Sequence, residues 1–315
     1  MARALLGPAA EVIMSSEWDF SPLTYPMTVS VLPEHVLIGM PSSESSNALI
    51  LPLAGHELGH SVWRKEQLES KWAREVHQGA KDCLQLRWSD FQRAFPEHAA
   101  VKPTDTELAN NMFLVHVQSD IVGLTLNQIE EIFCDAVGSH LFGPSYACAF
   151  HYLLAPSLGG TRPIEYPPLA IRATLLASCS GINLNTIGFP AYAAEFQDVQ
   201  PSLAPRDDFI SRAADEIAKK LSQRMYDDAR ALVMTKARAF TPDYDSELAI
   251  LRMFEAGIPS QSPRSLADIL NASWTYVRDK ASGFDEDERP LLEWISELAL
   301  KSIEVLEYRS RIGHA

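Results

Sequence analysis

Ala54-Gly55-His56-Glu57-Leu58-Gly59-His60-Ser61-Val62-Trp63 is the stretch on which the interpretation of this 315-residue chain turns. Apolar residues recur at helical spacing from Ala48 to Arg64, so the segment reads as a helix. Two histidines four positions apart on a helix project from one face toward a single point. With the glutamate after the first of them they form His-Glu-x-x-His, in which both imidazoles can hold one zinc ion and Glu57 can act as general base toward a water that the zinc acidifies. The flanking Leu51, Leu53, Ala54, Val62 and Trp63 place this helix in the interior. Histidines and a carboxylate buried there need partners, and a metal ion supplies one.

Catalytic zinc takes a third protein ligand, and the best source is Glu130-Glu131-Ile132-Phe133-Cys134-Asp135. Glu131 and Asp135 share a helical face, where like charges cost an isolated helix about 0.2–0.5 kcal/mol, and Glu130 adds to the repulsion. A cation between them removes the conflict, with Glu131 on the zinc and Asp135 accepting from the outer ring nitrogen of a ligand histidine. Cys134 is a further ligand to weigh, although its position also suits a core thiol. Gly59 and Gly138 fall where the two helices must approach closely.

Outward from these helices, Thr28–Val31 and His35–Ile38 are β-branched runs around Leu32-Pro33-Glu34 and read as a β-hairpin. The capping boxes Thr104-x-x-Glu107 and Thr125-x-x-Gln128 mark two helix starts, the second helix ending at Phe142 before Gly143-Pro144. Pro156 to Pro168 is too rich in Gly and Pro for a regular element and reads as a loop bordering the site. Beyond Pro205, amphipathic patterns at 207–240, 244–256, 264–280 and 286–310 predict a helical C-terminal region. The fold class is mainly α with a small β-sheet, divided into residues 1–205 and a helical region 206–315.

Composition narrows the partners. With 27 Lys and Arg against 41 Asp and Glu, the net charge of -14 repels phosphate backbones and anionic lipid headgroups, so nucleic acid and membrane surfaces are not expected partners. No apolar run approaches the roughly 20 residues that cross a bilayer, and Pro8 and Glu11 interrupt any signal-peptide core. Cys83, Cys134, Cys148 and Cys179 form no C-x-x-C pair and read as reduced buried thiols. Together these features predict a soluble, cytoplasmic protein.

Between Ala54 and Gly143 the chain resembles the gluzincins, the thermolysin-like and Ste24-like zinc peptidases that pair H-E-x-x-H with a later E-x-x-x-D on a second helix. The resemblance implies a zincin-like catalytic core and one Zn²⁺ per chain. It implies His56, His60 and Glu131 as ligands, Glu57 as base, and Asp135 as the partner that orients His56. It also implies a peptide or protein substrate paired along the preceding hairpin. The Gly and third His of metzincins are absent after His60. Candidates for stabilising the oxyanion are Tyr166, Tyr152, His151 and His140. Tyr166, followed by Pro167-Pro168 and Arg172, loosely resembles the H-P segment and later Arg of Ste24-like enzymes, with Tyr in place of His.

Two other functions remain open at this level. The motif specifies water activation but not what the water attacks, so a zinc hydrolase of a non-peptide substrate is one. The other is a helical interaction module that binds a protein partner through residues 206–315, with a non-catalytic metal site. In an enzyme those same helices would cover the cleft or recruit a partner.

Overall fold

The computed structural model describes residues 1–17, 22–24, 34–155, 161–179, 182, 184, 188–199, 201–237, 239–280 and 289–312. Helices dominate, joined by one small sheet, as the composition of the segments predicted. In chain order the elements are α1 (Ala2–Leu6), β1 (Glu11–Glu17), β2 (Leu23–Thr24), β3 (His35–Pro41), α2 (Ala54–Lys65), α3 (Leu68–Leu86) and α4 (Trp88–Ala94). They continue as α5 (Asp105–Asn110), α6 (Met112–Phe142), α7 (Pro144–Leu154), α8 (Leu169–Cys179), α9 (Pro205–Lys236), α10 (Tyr244–Glu255), α11 (Leu266–Lys280) and α12 (Arg289–Ile312).

The sheet runs β1-β3-β2. β3 pairs in parallel with β1, Glu11 opposite His35, and antiparallel with β2, Leu23 opposite Gly39. Of the expected hairpin, the second run is β3 and the first lies outside the described residues. The parallel partner Glu11–Glu17 gave no alternating signal because Val12, Ile13 and Met14 are all about two-fifths exposed, so this edge strand has no apolar face to read.

The segment before the motif is a 3-10 turn, Ala48–Leu53, held open by Pro52, and the α-helix proper begins at Ala54. The box at Thr104 caps α5 as expected, its hydroxyl accepting from the Glu107 N–H at 3.3 Å. The box at Thr125 does not start a helix. α6 begins more than three turns earlier, where the Asn111 side chain accepts from the N–H groups of Phe113 and Leu114. Thr125 instead donates to the carbonyl of Ile121 at 2.7 Å, the back-bond a threonine makes inside a helix. Gly143 ends α6 with φ of 61°, and Phe240 occupies the space a β-carbon would need there.

The four C-terminal helices lie within a few residues of the predicted patterns. Packing is continuous across position 205. α9 lies along α6, and one apolar cluster runs from Leu5 through Phe133 and Ile217 to Ala299. α11 reaches back to the motif region. Trp274 Nε1 donates to the carbonyl of Leu49, and Asn271 accepts from the Ser145 N–H and donates to the Phe142 carbonyl. Cys83, Cys134 and Cys148 are free and buried, while the side chain of Cys179 lies outside the described residues. No helix among the described residues is long and apolar enough to cross a membrane.

Candidate metal centre

α2 and α6 cross at close range because small residues face each other. A β-carbon on Gly59 would come within 2.8 Å of Cys134 Cα, and one on Gly55 within 3.1 Å of Gly138 Cα. The space beside Gly138 is filled by the ring of Tyr146. This crossing brings together His56, Glu57 and His60 from α2 with Glu130, Glu131 and Asp135 from α6.

The geometry settles the tautomers of both histidines. His56 Nδ1 lies 2.9 Å from Asp135 Oδ1, and His60 Nδ1 lies 2.7 Å from Glu130 Oε1. An ionised carboxylate only accepts, so each Nδ1 carries a hydrogen, and in the neutral imidazole each Nε2 presents a lone pair. Those lone pairs face a third carboxylate: Glu131 Oε2 is 3.2 Å from His56 Nε2, and Oε1 is 3.5 Å from His60 Nε2. Glu131 Oε2 is buried and has no hydrogen-bond donor. Acceptors aimed at acceptors in a low-dielectric interior require a cation between them.

Charge bookkeeping leads the same way. Four carboxylates, Glu57, Glu130, Glu131 and Asp135, face one committed guanidinium, Arg172, which donates to both oxygens of Asp135 at 2.7 Å and sets Nη1 3.5 Å from Glu131. Tyr146 adds an O–H to Asp135 at 2.7 Å. Asp135 thus lies far below the usual carboxylate range: its burial is outweighed by Arg172 and His56. Glu131 is lowered too, its desolvation outweighed by His56, Arg172 and His60. His56 rises to about 10, because Glu131 and Asp135 overcome the burial that would otherwise neutralise it. A proton on His56 supplies one positive charge among these carboxylates.

The ligand-type atoms of His56, His60 and Cys134 lie within 4.8 Å of one another and could hold a metal ion. Two candidates therefore compete to complete the site, Cys134 and Glu131. Burial and the neighbouring carboxylates of Glu130, Glu131, Glu57 and Asp135 push the Cys134 thiol well up, against forming a thiolate. Its sulfur also packs against Gly59, where a β-carbon would lie 3.0 Å away. The carboxylate of Glu131 is ionised, and its Oε2 has no hydrogen-bond donor and meets Arg172 Nη1 only at 3.5 Å. The two oxygens divide between the two rings, Oε2 at 3.2 Å from His56 Nε2 and Oε1 at 3.5 Å from His60 Nε2.

The site forms the floor of a cleft of about 730 Å³, within the usual size range of ligand pockets. Thr24, next to the cleft on the edge strand β2, donates its hydroxyl to Glu57 Oε2 at 2.8 Å and to the Glu57 carbonyl at 3.0 Å, fixing that carboxylate. Tyr166 lines the same cleft at 44% exposure. Burial and the nearby Glu131 raise its pKa, so its O–H stays available as a donor. The other three oxyanion candidates do not line the cleft. Tyr152 donates to Glu44, His151 pairs with Glu195, and His140 packs against Tyr226.

Sequence reasoning missed Thr24, Glu130 as partner of His60, Tyr146, and the anchor of the Tyr166 wall. That anchor is Asp215 on α9, which pairs with Arg162 and accepts from Gln128, while Arg162 Nη1 holds the Tyr166 carbonyl at 2.8 Å. These partners come from distant segments and carry no local spacing signal. Glu130 alone was legible, standing one residue before Glu131. No known family model, curated protein or solved structure matches the chain.

Proposed function

We propose that the chain is a zinc-dependent peptidase with a zincin-like catalytic core, in which His56, His60 and Glu131 hold the metal. The observation that carries this reading is the convergence of the two Nε2 atoms on the Glu131 carboxylate, whose buried Oε2 accepts no hydrogen bond, with Glu57 beside them on the cleft floor. Zinc bound there would supply Lewis acidity toward a carbonyl and lower the pKa of water toward neutrality.

The chain's own residues do the rest. Asp135 and Glu130 keep both imidazoles in the tautomer that exposes Nε2. Glu57, oriented by Thr24, takes the proton from the attacking water and passes it to the leaving amine. Tyr166, lining the same cleft, would donate to the developing oxyanion. The β2 strand, at the sheet edge beside Glu57, offers main-chain groups to an extended peptide, which supports a peptide over a compact substrate.

The test is zinc content together with cleavage of an unfolded protein by the wild type and by Glu57→Gln. The expected result is one zinc per chain in both, with turnover lost by a factor of about 10³ or more in the variant. Zinc retained with no turnover in the wild type on any unfolded protein would overturn the peptidase reading.

A further inference from the structure

Three guanidinium groups line the cleft, from Arg64, Arg162 and Arg172. Two are neutralised by the protein itself. Arg162 meets both oxygens of Asp215 at 3.0 Å, and Arg172 meets both oxygens of Asp135 at 2.7 Å. Arg64 is different. Its Nη1 is buried with no hydrogen-bond acceptor, and it forms no ion pair among the described residues.

A buried N–H of a charged group left without an acceptor is costly, and such orphans call for an explanation. Arg64 lies four residues after His60 on α2, so their β-carbons are about 5–6 Å apart on one face of the helix. Its charge therefore stands beside the metal-facing floor, in a cleft whose other charged groups are carboxylates or already paired. A planar guanidinium fork is shaped for two oxygens of one carboxylate.

We propose that Arg64 anchors the substrate by receiving a carboxylate of the peptide, so that the cleft selects peptides with a free C-terminus or an Asp or Glu side chain near the scissile bond. This rests on the peptidase reading, but its test does not need turnover. Metal-loaded Glu57→Gln protein is immobilised and offered three random octapeptide pools, with retention read by mass spectrometry. One pool lacks Asp and Glu and ends in a free carboxylate, one lacks them and is amidated, and one is amidated but contains Asp and Glu.

The expected result is retention of one or both carboxylate pools about 10- to 100-fold above the neutral amidated pool. That preference should vanish when Arg64→Gln is added, with zinc content unchanged, and survive in part in Arg64→Lys, which keeps charge but loses the fork. The first and third pools tell terminal from side-chain recognition. Equal retention of all three pools, or an undiminished preference in both Arg64 variants, would overturn the assignment. Wild-type enzyme that cleaves nothing would count against the peptidase reading alone.

Discussion

Helix α6 carries two seats of opposite character. Against α9 it packs mainly hydrocarbon, with Ala213, Ala214, Ala218, Met225 and Val233 buried on α9 and one polar contact, Gln128 donating to Asp215. Against α2 it packs charge, with His56, Glu57 and His60 facing Glu130, Glu131 and Asp135. The first seat is stable by itself, because each square ångström of apolar surface removed from water contributes about 25 cal/mol. The second is stable only if its excess negative charge is compensated, since unpaired charge in a low dielectric costs several kcal/mol. One helix thus serves as scaffold on one side and carries the charged cluster on the other, and the scaffold side holds the charged side in place.

The largest break in that comparison is removal of the apolar seat. Deleting residues 206–315 strips α9 from α6 and takes away Asp215, Trp274 and Asn271 as well. The truncated chain should be insoluble or lose its cooperative thermal transition, read by calorimetry. A soluble, cooperatively folding product would show that the charged seat stands alone.

Next in size is the charged seat itself. Asp135→Asn removes the charge that Arg172 and His56 share, leaving the buried guanidinium only Glu131 at 3.5 Å as an anionic neighbour. It should cost about 3–5 kcal/mol in denaturant unfolding, and metal affinity should fall about 10- to 100-fold in chelator competition. A loss under 1 kcal/mol would mean that the Arg172 pairing contributes little.

The helix crossing sharpens the same contrast. Gly138→Ala puts a β-carbon 2.3 Å from the Tyr146 ring and displaces the residue that donates to Asp135. It should destabilise the chain by about 1–3 kcal/mol, and Gly59→Ala, which meets the α6 backbone, should also lower metal affinity. An unchanged melting temperature for either would place the slack elsewhere.

The remaining test is a pH dependence confined to the charged seat of metal-free protein. His56 is raised from 6.5 to about 10 in the fold, so its contribution is complete below pH 6.5 and is lost as pH rises through about 10. Chelated protein should melt lower near pH 10 than near pH 6.5. Metal binding displaces that proton, so affinity should rise over the same window. A melting temperature of the chelated protein that does not fall across it would contradict the cation demand inferred from Glu131.

How much of this was legible in the sequence follows from the range of each interaction. The motif helix, the C-terminal helices and the stop at Gly143 are local patterns, and periodicity or a breaker residue announced them. Thr125 misled because a capping box and an internal back-bond use the same residue, and only the long apolar run before it, capped by Asn111, tells them apart. The strand at Glu11–Glu17 was silent because it has no buried face. His56, His60, Glu131 and Asp135 were found through spacing and charge conflict, whereas Thr24, Tyr146 and Asp215 reach the site only through tertiary contacts.

The most direct measurement is zinc-edge X-ray absorption on the purified protein. Two imidazole nitrogens and carboxylate oxygen near 2.0–2.1 Å, with no sulfur shell near 2.3 Å, are predicted for a site closed by Glu131. A sulfur shell from Cys134, or no bound zinc at all, would contradict it.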